Sequence, residues 1–350
     1  MTAAGEHLDD PGPSGGATNR DTLSREGAAE LMRRILRGEL DQRQIRDFLL
    51  SYNAHEPTTD ELSGFLAAVR EAATPVVLPP SVARRATDVV GTGGDKSGSV
   101  NVSTMAAFVV AGAGVPVCKH GNRSASSKCG TADVLEALGA RIELPADRVA
   151  RCVERTGFGF VFAPVFHPAF RHVGAARREL GVPTVFNLLG PMANPAPVAA
   201  MLVGVADPRR VPTMARALAT RVGAAWVVHG HGGLDELSLA GPNRVLRIDG
   251  GTIHDEASVD ATVLGLPRAD NDQLRGGDAK HNAAVVRGVL NGEVRGAIRD
   301  VVRLNAAAAL VVAGEVDSLS DAIGRADDSL DDGAALAVLD AFVAETTMNS

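Results

Sequence analysis

The sequence predicts an α/β fold: a small N-terminal helical domain, then a large α/β domain with a mostly parallel central sheet. Three observations predict it. Before the proline-rich stretch Pro75–Pro80 the apolar residues repeat at helical spacing only. From Thr87 onward strands and helices alternate, as expected when helices cover a parallel sheet. Two glycine- and hydroxyl-rich segments each follow a strand and precede a helix, a place where α/β folds hold phosphates.

In chain order, residues 1–22 are rich in Gly, Pro, Asp and Thr without periodicity and read as a disordered leader. The helical domain is assigned to 23–80. Leu31, Met32, Ile35 and Leu36 share one helix face, and Gly38 ends the run. Asp41 with Gln44 and Thr58 with Glu61 have capping-box spacing, before Ile45–Leu49 and Leu62–Val69 respectively. Three short helices cannot close a core alone and need the main domain or a second subunit. Pro75–Pro80 is the linker.

The α/β domain is assigned to 81–350. Strands are expected at Val115–Lys119, Phe158–Phe162, Ala200–Val205 and Ala225–His229, with a hairpin over Val245–His254. Helices are expected at Ala132–Leu138, Val149–Arg155, Ala169–Leu180 and Pro212–Arg221, and the tail from Asp278 is mostly helical. Gly139, Gly157 and Gly181 close three of these helices.

Composition narrows the function. A chain of 350 residues has ample core, and its net charge of −7 lacks the basic footprint of a general nucleic-acid binder. Aromatic residues make up 3%, too few for a row of base-stacking platforms. Cys118, Cys129 and Cys152 show no CxxC spacing, which argues against disulfides and a Cys-based zinc site and fits the cytoplasm. No signal peptide is visible, and no apolar run reaches the ~18 residues of a membrane span.

The first glycine-rich segment reads DVVGTGGDKSGSVNVST over Asp88–Thr104. It is not a Walker A loop, because Asp95 rather than glycine precedes Lys96. It is not a dinucleotide fingerprint either, because the third glycine would fall at Lys96. A phosphate or pyrophosphate is the expected ligand. The second, Lys119–Gly139, reads KHGNRSASSKCGTADVLEALG and combines three cations with four hydroxyls, a composition suited to a di- or polyphosphate. His120 is open between a structural and a ligand role. In HGHGGLDELS, Asp235 and Glu236 are neighbours. On an irregular loop they can converge on hydrated Mg2+, which takes one or two carboxylates plus substrate phosphates.

In order, the motifs GTGGD, NVST, KHGNR-S-x-SS, ADVLEALG and GLDELS, with FHPAFRHVGAARRELGVPTVFNLLGP at Phe166–Pro191, resemble the anthranilate phosphoribosyltransferases of tryptophan biosynthesis. The similarity covers almost everything after residue 23. It implies a nucleoside phosphorylase-like architecture whose helical domain is joined by a segment near 182–198, and a homodimer formed through that domain. It implies one or two Mg2+ ions per subunit and transfer of phosphoribosyl from 5-phosphoribosyl 1-diphosphate (PRPP) to the amine of anthranilate.

Carried over by resemblance, PRPP would meet Gly91, Gly94, Asp95, Ser99, Asn101, Val102, Ser103, Thr104, Lys119, His120, Gly121, Asn122, Arg123, Ser124, Ala125, Ser126, Ser127 and Thr131. Ser103, Asp235 and Glu236 would hold the metal. Gly91, Asn122 and Arg177 would contact anthranilate, with Lys119, Asn122 and Arg177 acting in catalysis. Asp95 is expected to brace its loop or contact the donor among nearby cations. On pattern alone, Arg177 beside Arg178 reads as a helix-surface charge. Cys129 and Thr131 stand where serines are common in the family, Phe170 stands where it varies, and Ser51–Pro57 departs from its usual wording. Two rivals remain at this point: a pyrimidine nucleoside phosphorylase of the same architecture, and a non-catalytic paralogue that binds nucleic acid.

Overall fold

The computed structural model describes residues 22–124, 127–254 and 256–348. The leader up to Asp21 lies outside them, as do Ala125 and Ser126. The helical domain is α1 (Arg25–Leu36), α2 (Gln42–Ala54) and α3 (Thr59–Glu71). Ser24 caps α1, and both predicted capping boxes form, Asp41–Gln44 on α2 and Thr58–Glu61 on α3. Glu61 is fully buried, yet it also accepts from the Tyr52 hydroxyl at 2.9 Å and the Leu23 amide at 3.1 Å. Those bonds offset its desolvation.

After the linker come the short α4 (Pro80–Ala83), β1 (Thr87–Gly91), α5 (Val102–Gly112), β2 (Val117–Gly121), α6 (Thr131–Ala137), α7 (Ala146–Thr156) and β3 (Phe158–Phe162). Then come α8 (Ala163–Phe166), α9 (Arg171–Leu180), α10 (Val185–Met192), β4 (Ala200–Gly204), α11 (Val211–Ala219) and β5 (Ala224–His229). The strands β6 (Asn243–Asp249), β7 (Thr252–Ile253) and β8 (Ala257–Val259) precede α12 (Ala279–Leu290), α13 (Ala297–Val312), α14 (Leu319–Asp331) and α15 (Ala334–Thr347).

The sheet order is β3-β2-β1-β4-β5-β6-β7, with β8 on β6. The strands β1 to β5 are mutually parallel, and β6 to β8 add an antiparallel edge. The near-continuous apolar burial of β3 and β4 is what strands covered on both faces require. α5 packs on β1 and β2 and is backed by α13, α14 and α15.

Two expected boundaries move at a proline, and the helix expected from Val149 begins earlier, at Ala146. The strand expected at Val115–Lys119 starts at Val117, because Pro116 cannot donate to a ladder and uses its carbonyl to receive the Thr87 amide. The helix expected from Ala169 opens as a 3-10 turn at Pro168–Phe170 before α9 begins. The helical domain closes its core within the chain: α3 packs on α10 and α11, and α2 on α9. Among the described residues no helix is long and apolar enough to cross a membrane.

Candidate active site

The strand order turns back between β1 and β4. In an open parallel sheet the crevice beyond the carboxyl ends at such a switch point is where ligands bind. A cleft of about 720 Å³ lies there. Its walls come from the segment after β1, the segment after β2, the Asp235–Glu236 loop, α9 and α10, and the approach to α12.

The carboxylate loop lies across the strand ends because glycine leaves room for it. A Cβ at Gly91 would overlap the Asp235 carboxylate, one at Gly204 the Asp235 carbonyl, and one at Gly230 the Glu236 carbonyl. Asp235 Oδ2 accepts from the Gly93 amide at 2.6 Å, and Glu236 Oε1 from the Ser103 amide at 3.1 Å. Glu236 thus places negative charge at the N-terminus of α5. Lys119 is 1% exposed. Its ammonium donates to the Val89 carbonyl and to Ser103 Oγ, the latter at 3.1 Å. It therefore stands behind Ser103, within reach of the charges of Asp88, Glu236 and Asp235.

Asp235 and Glu236 are half-buried by surface area, but protein atoms surround their carboxyl groups closely. Desolvation, then the Asp95 charge, pushes Asp235 up to about 7. Desolvation, then the Asp235 charge, pushes Glu236 up to about 8, against the pull of Lys119. Burial lowers the Lys119 pKa, while Asp88, Glu236 and Asp235 hold it up. Asp95 bonds the Ser97 amide at 3.2 Å and the Ser97 hydroxyl at 2.7 Å, so it does brace its loop. It also faces the Asp235 carboxyl, a like charge.

Gly91, Gly94, Asp95, Ser99, Asn101, Val102 and Ser103 all line this cleft. So do Lys119, His120, Gly121, Asn122, Arg123, Ser124, Ser127 and Thr131. Thr104 does not. It is fully buried in the first turn of α5, 3.4 Å from Thr131 Oγ1, because the helix rotates it toward the core. Arg123 lines the rim, but its guanidinium is engaged by Asp133 at 3.0 Å and by Glu136. Asn122 Oδ1, the side-chain oxygen, accepts the Arg123 amide at 2.7 Å. His120 is 3% exposed, with Nδ1 at 3.0 Å from the Gly190 carbonyl.

Arg177 is not a helix-surface charge. It lines the cleft, half-buried, with its guanidinium 5.4 Å from the Phe186 ring centre and 3.5 Å from Asn187 Oδ1. Phe170 meets Phe186 edge-on at 5.3 Å and stacks on His167 at 4.8 Å. A cation beside aromatic rings suits a flat aromatic carboxylate.

The glycosyl transferase family α/β domain matches residues 83–336, and that family's helical bundle domain matches 17–73. The anthranilate phosphoribosyltransferase of Nocardioides sp. is 50% identical over 93% of this chain and 95% of its own length. That of Roseiflexus sp. is 48% identical over 92% and 93%. The chain belongs to the anthranilate phosphoribosyltransferase family. Among solved structures, the Thermus thermophilus anthranilate phosphoribosyltransferase is similar with a TM-score of 0.88 and 42% identity, covering 94% of this chain and 97% of that one. The Saccharomyces cerevisiae enzyme in complex with PRPP and Mg has a TM-score of 0.85 and 27% identity, covering 93% and 94%. Membership in this enzyme family sets aside the phosphorylase and the non-catalytic readings.

Sequence reasoning assigned no role to several residues that build this anthranilate phosphoribosyltransferase cleft. Asn282, in the first turn of α12, donates to Asn101 Oδ1 at 2.9 Å and accepts the Gly277 amide at 2.8 Å. The Gly276 amide donates to the Gly98 carbonyl at 2.8 Å, and Ser99 pairs with Arg275. The pair Gly276–Gly277 just before the Asp278 cap was the available signal. Phe186 and Asn187 lay inside a quoted motif but carried no role.

His167 is 2% exposed, and among the described residues neither ring nitrogen has a hydrogen-bond partner. Burial pulls its pKa from 6.5 to about 4. The unfolded chain takes up this proton as pH falls through 6.5, while the fold resists until about 4. Stability should therefore fall with pH across that window, by up to about 3 kcal/mol from this group. Thermal melts of His167→Gln should show a flatter pH dependence. An unchanged dependence would remove His167 as its source.

Proposed function

We propose a division of labour for this cleft, whose reaction transfers phosphoribosyl from PRPP to the amine of anthranilate. The products are N-(5-phosphoribosyl)anthranilate and pyrophosphate. PRPP lies between the segments Gly91–Ser103 and Lys119–Thr131, with anthranilate toward Asn122 and Arg177. The observation that carries this reading is the Asp235–Glu236 loop, laid over the strand ends and facing both glycine-rich segments.

The donor set suits magnesium. Among the described residues no three His, Cys, Asp or Glu side chains form a self-sufficient metal site. Two carboxylates with a nearby hydroxyl match a hard cation that takes its remaining ligands from substrate and water. Ser103, Asp235 and Glu236 would hold it. Bound Mg2+ would neutralise charge on the diphosphate.

The C1–O bond to pyrophosphate breaks ahead of C1–N formation, because the ring oxygen stabilises a cationic C1. Anthranilate's amine is neutral at pH 7 and attacks without prior deprotonation, releasing a proton after the bond forms. Lys119 supports the leaving group's charge from behind Ser103. Arg177 engages the acceptor's carboxylate or ring, and Asn122 bonds its polar edge. Arg177→Ala should raise the anthranilate KM by roughly tenfold or more, with a small change in the PRPP KM. A change confined to the PRPP KM would reassign it.

Loss of anthranilate fluorescence should require PRPP and stop with EDTA. Turnover unaffected by EDTA would sink the metal assignment. The domain division at 80/81, a homodimer through the outer surface of the helical domain and a cytoplasmic location complete the proposal. Sedimentation velocity reads the subunit number.

A further inference from the structure

Lys96 is the one described non-glycine residue with positive φ, at 60°. Gly93, Gly94 and Gly98 in the same segment have φ of 67°, 77° and 63°. Glycine makes such turns without a Cβ clash, whereas lysine does not. A side chain kept at a strained position points to a use for that side chain.

The turn around it is locked locally. Asp95 holds the Ser97 amide and hydroxyl, and the Ser97 hydroxyl receives the Ser99 amide at 3.1 Å. Lys96 stands at the crest of this turn, exposed and on the cleft wall. Its ammonium has no hydrogen bond or ion pair among the described residues. The other lysine assigned to the donor is differently placed: Lys119 is already bonded to Val89 and Ser103 and shielded from solvent. The cleft also carries the carboxylates of Asp95, Asp235 and Glu236. A free cation at its mouth is therefore suited to a polyanionic ligand that must pass and settle beside them.

We infer that Lys96 is a further donor-binding residue, whose ammonium meets the diphosphate of PRPP from the cleft mouth. This rests on the assignment of PRPP to the cleft. The experiment compares Lys96→Ala, Lys96→Arg and Lys96→Gly with the unsubstituted enzyme. Steady-state KM values for both substrates and thermal midpoints are measured. Lys96→Ala should raise the PRPP KM roughly tenfold and leave the anthranilate KM unchanged, and Lys96→Arg should restore it to within a few-fold. Lys96→Gly should share the raised PRPP KM while its thermal midpoint holds or rises, since the strain is relieved. A PRPP KM unchanged in Ala and Gly, or normal in Gly alone, overturns the inference and leaves only a strained turn. An unsubstituted chain with no PRPP-dependent turnover overturns the cleft assignment and this inference together.

Discussion

Glu236→Gln is expected to lower kcat by about two to three orders of magnitude with the fold intact. Gln keeps the side-chain oxygen that accepts the Ser103 amide at 3.1 Å, so the cap on α5 survives. What disappears is the negative charge available to a divalent cation. Circular dichroism should match the unsubstituted chain while turnover at saturating Mg2+ collapses. Unchanged turnover there would remove Glu236 from the metal site.

A pH signature accompanies this prediction. The carboxyl of Glu236 is pushed from 4.5 to about 8. Between those values the cation-free fold holds a proton that the unfolded chain releases. Cation-free stability should therefore decline as pH rises from about 4.5 to about 8, and Glu236→Gln should flatten the decline. Mg2+ must displace the proton, so the concentration giving half-maximal rate should rise as pH falls below about 8.

Gly204→Ala is the second large effect. The added methyl would overlap the Asp235 carbonyl and crowd its carbonyl carbon and Cα. The loop has little freedom to retreat. Asp235 is tied to the Gly93 amide and Glu236 to the Ser103 amide. Leu237 exchanges two hydrogen bonds of 2.9 Å each with the buried Asn305 side chain. Either β4 or the loop must shift, at a cost of about 1–3 kcal/mol by analogy with overpacked cores. A displaced Asp235–Glu236 pair should also lower kcat at least about a hundredfold. Urea unfolding and turnover check both. Gly324→Ala, on α14 where an added Cβ meets nothing within 4 Å, is the control and should be neutral or stabilising. Full activity and stability in Gly204→Ala would mean the crossing is looser than the packing indicates.

The helix caps were legible because capping is local. Asp41 with Gln44, Thr58 with Glu61, and Gly157 and Gly181 past helix ends each act within a few residues. Strand–helix alternation was legible for the same reason, and the ordered motifs carried the family. Some boundaries slipped where a proline intervened, at Pro116 and Pro168, and others by a residue or a few at helix ends, as at Ala219.

Taken alone, then, the sequence determined the α/β class, the helical domain, both glycine-rich walls and the candidate metal pair, all written in contiguous stretches. Only the tertiary structure decided how those stretches meet. It placed Lys119 behind Ser103, turned Thr104 into the core and brought Asp95 against Asp235. It made Gly204 a condition of the site and set Asn282 against Asn101, 181 positions away. Such contacts depend on strand register and helix rotation, which packing fixes between segments with no local sequence relation.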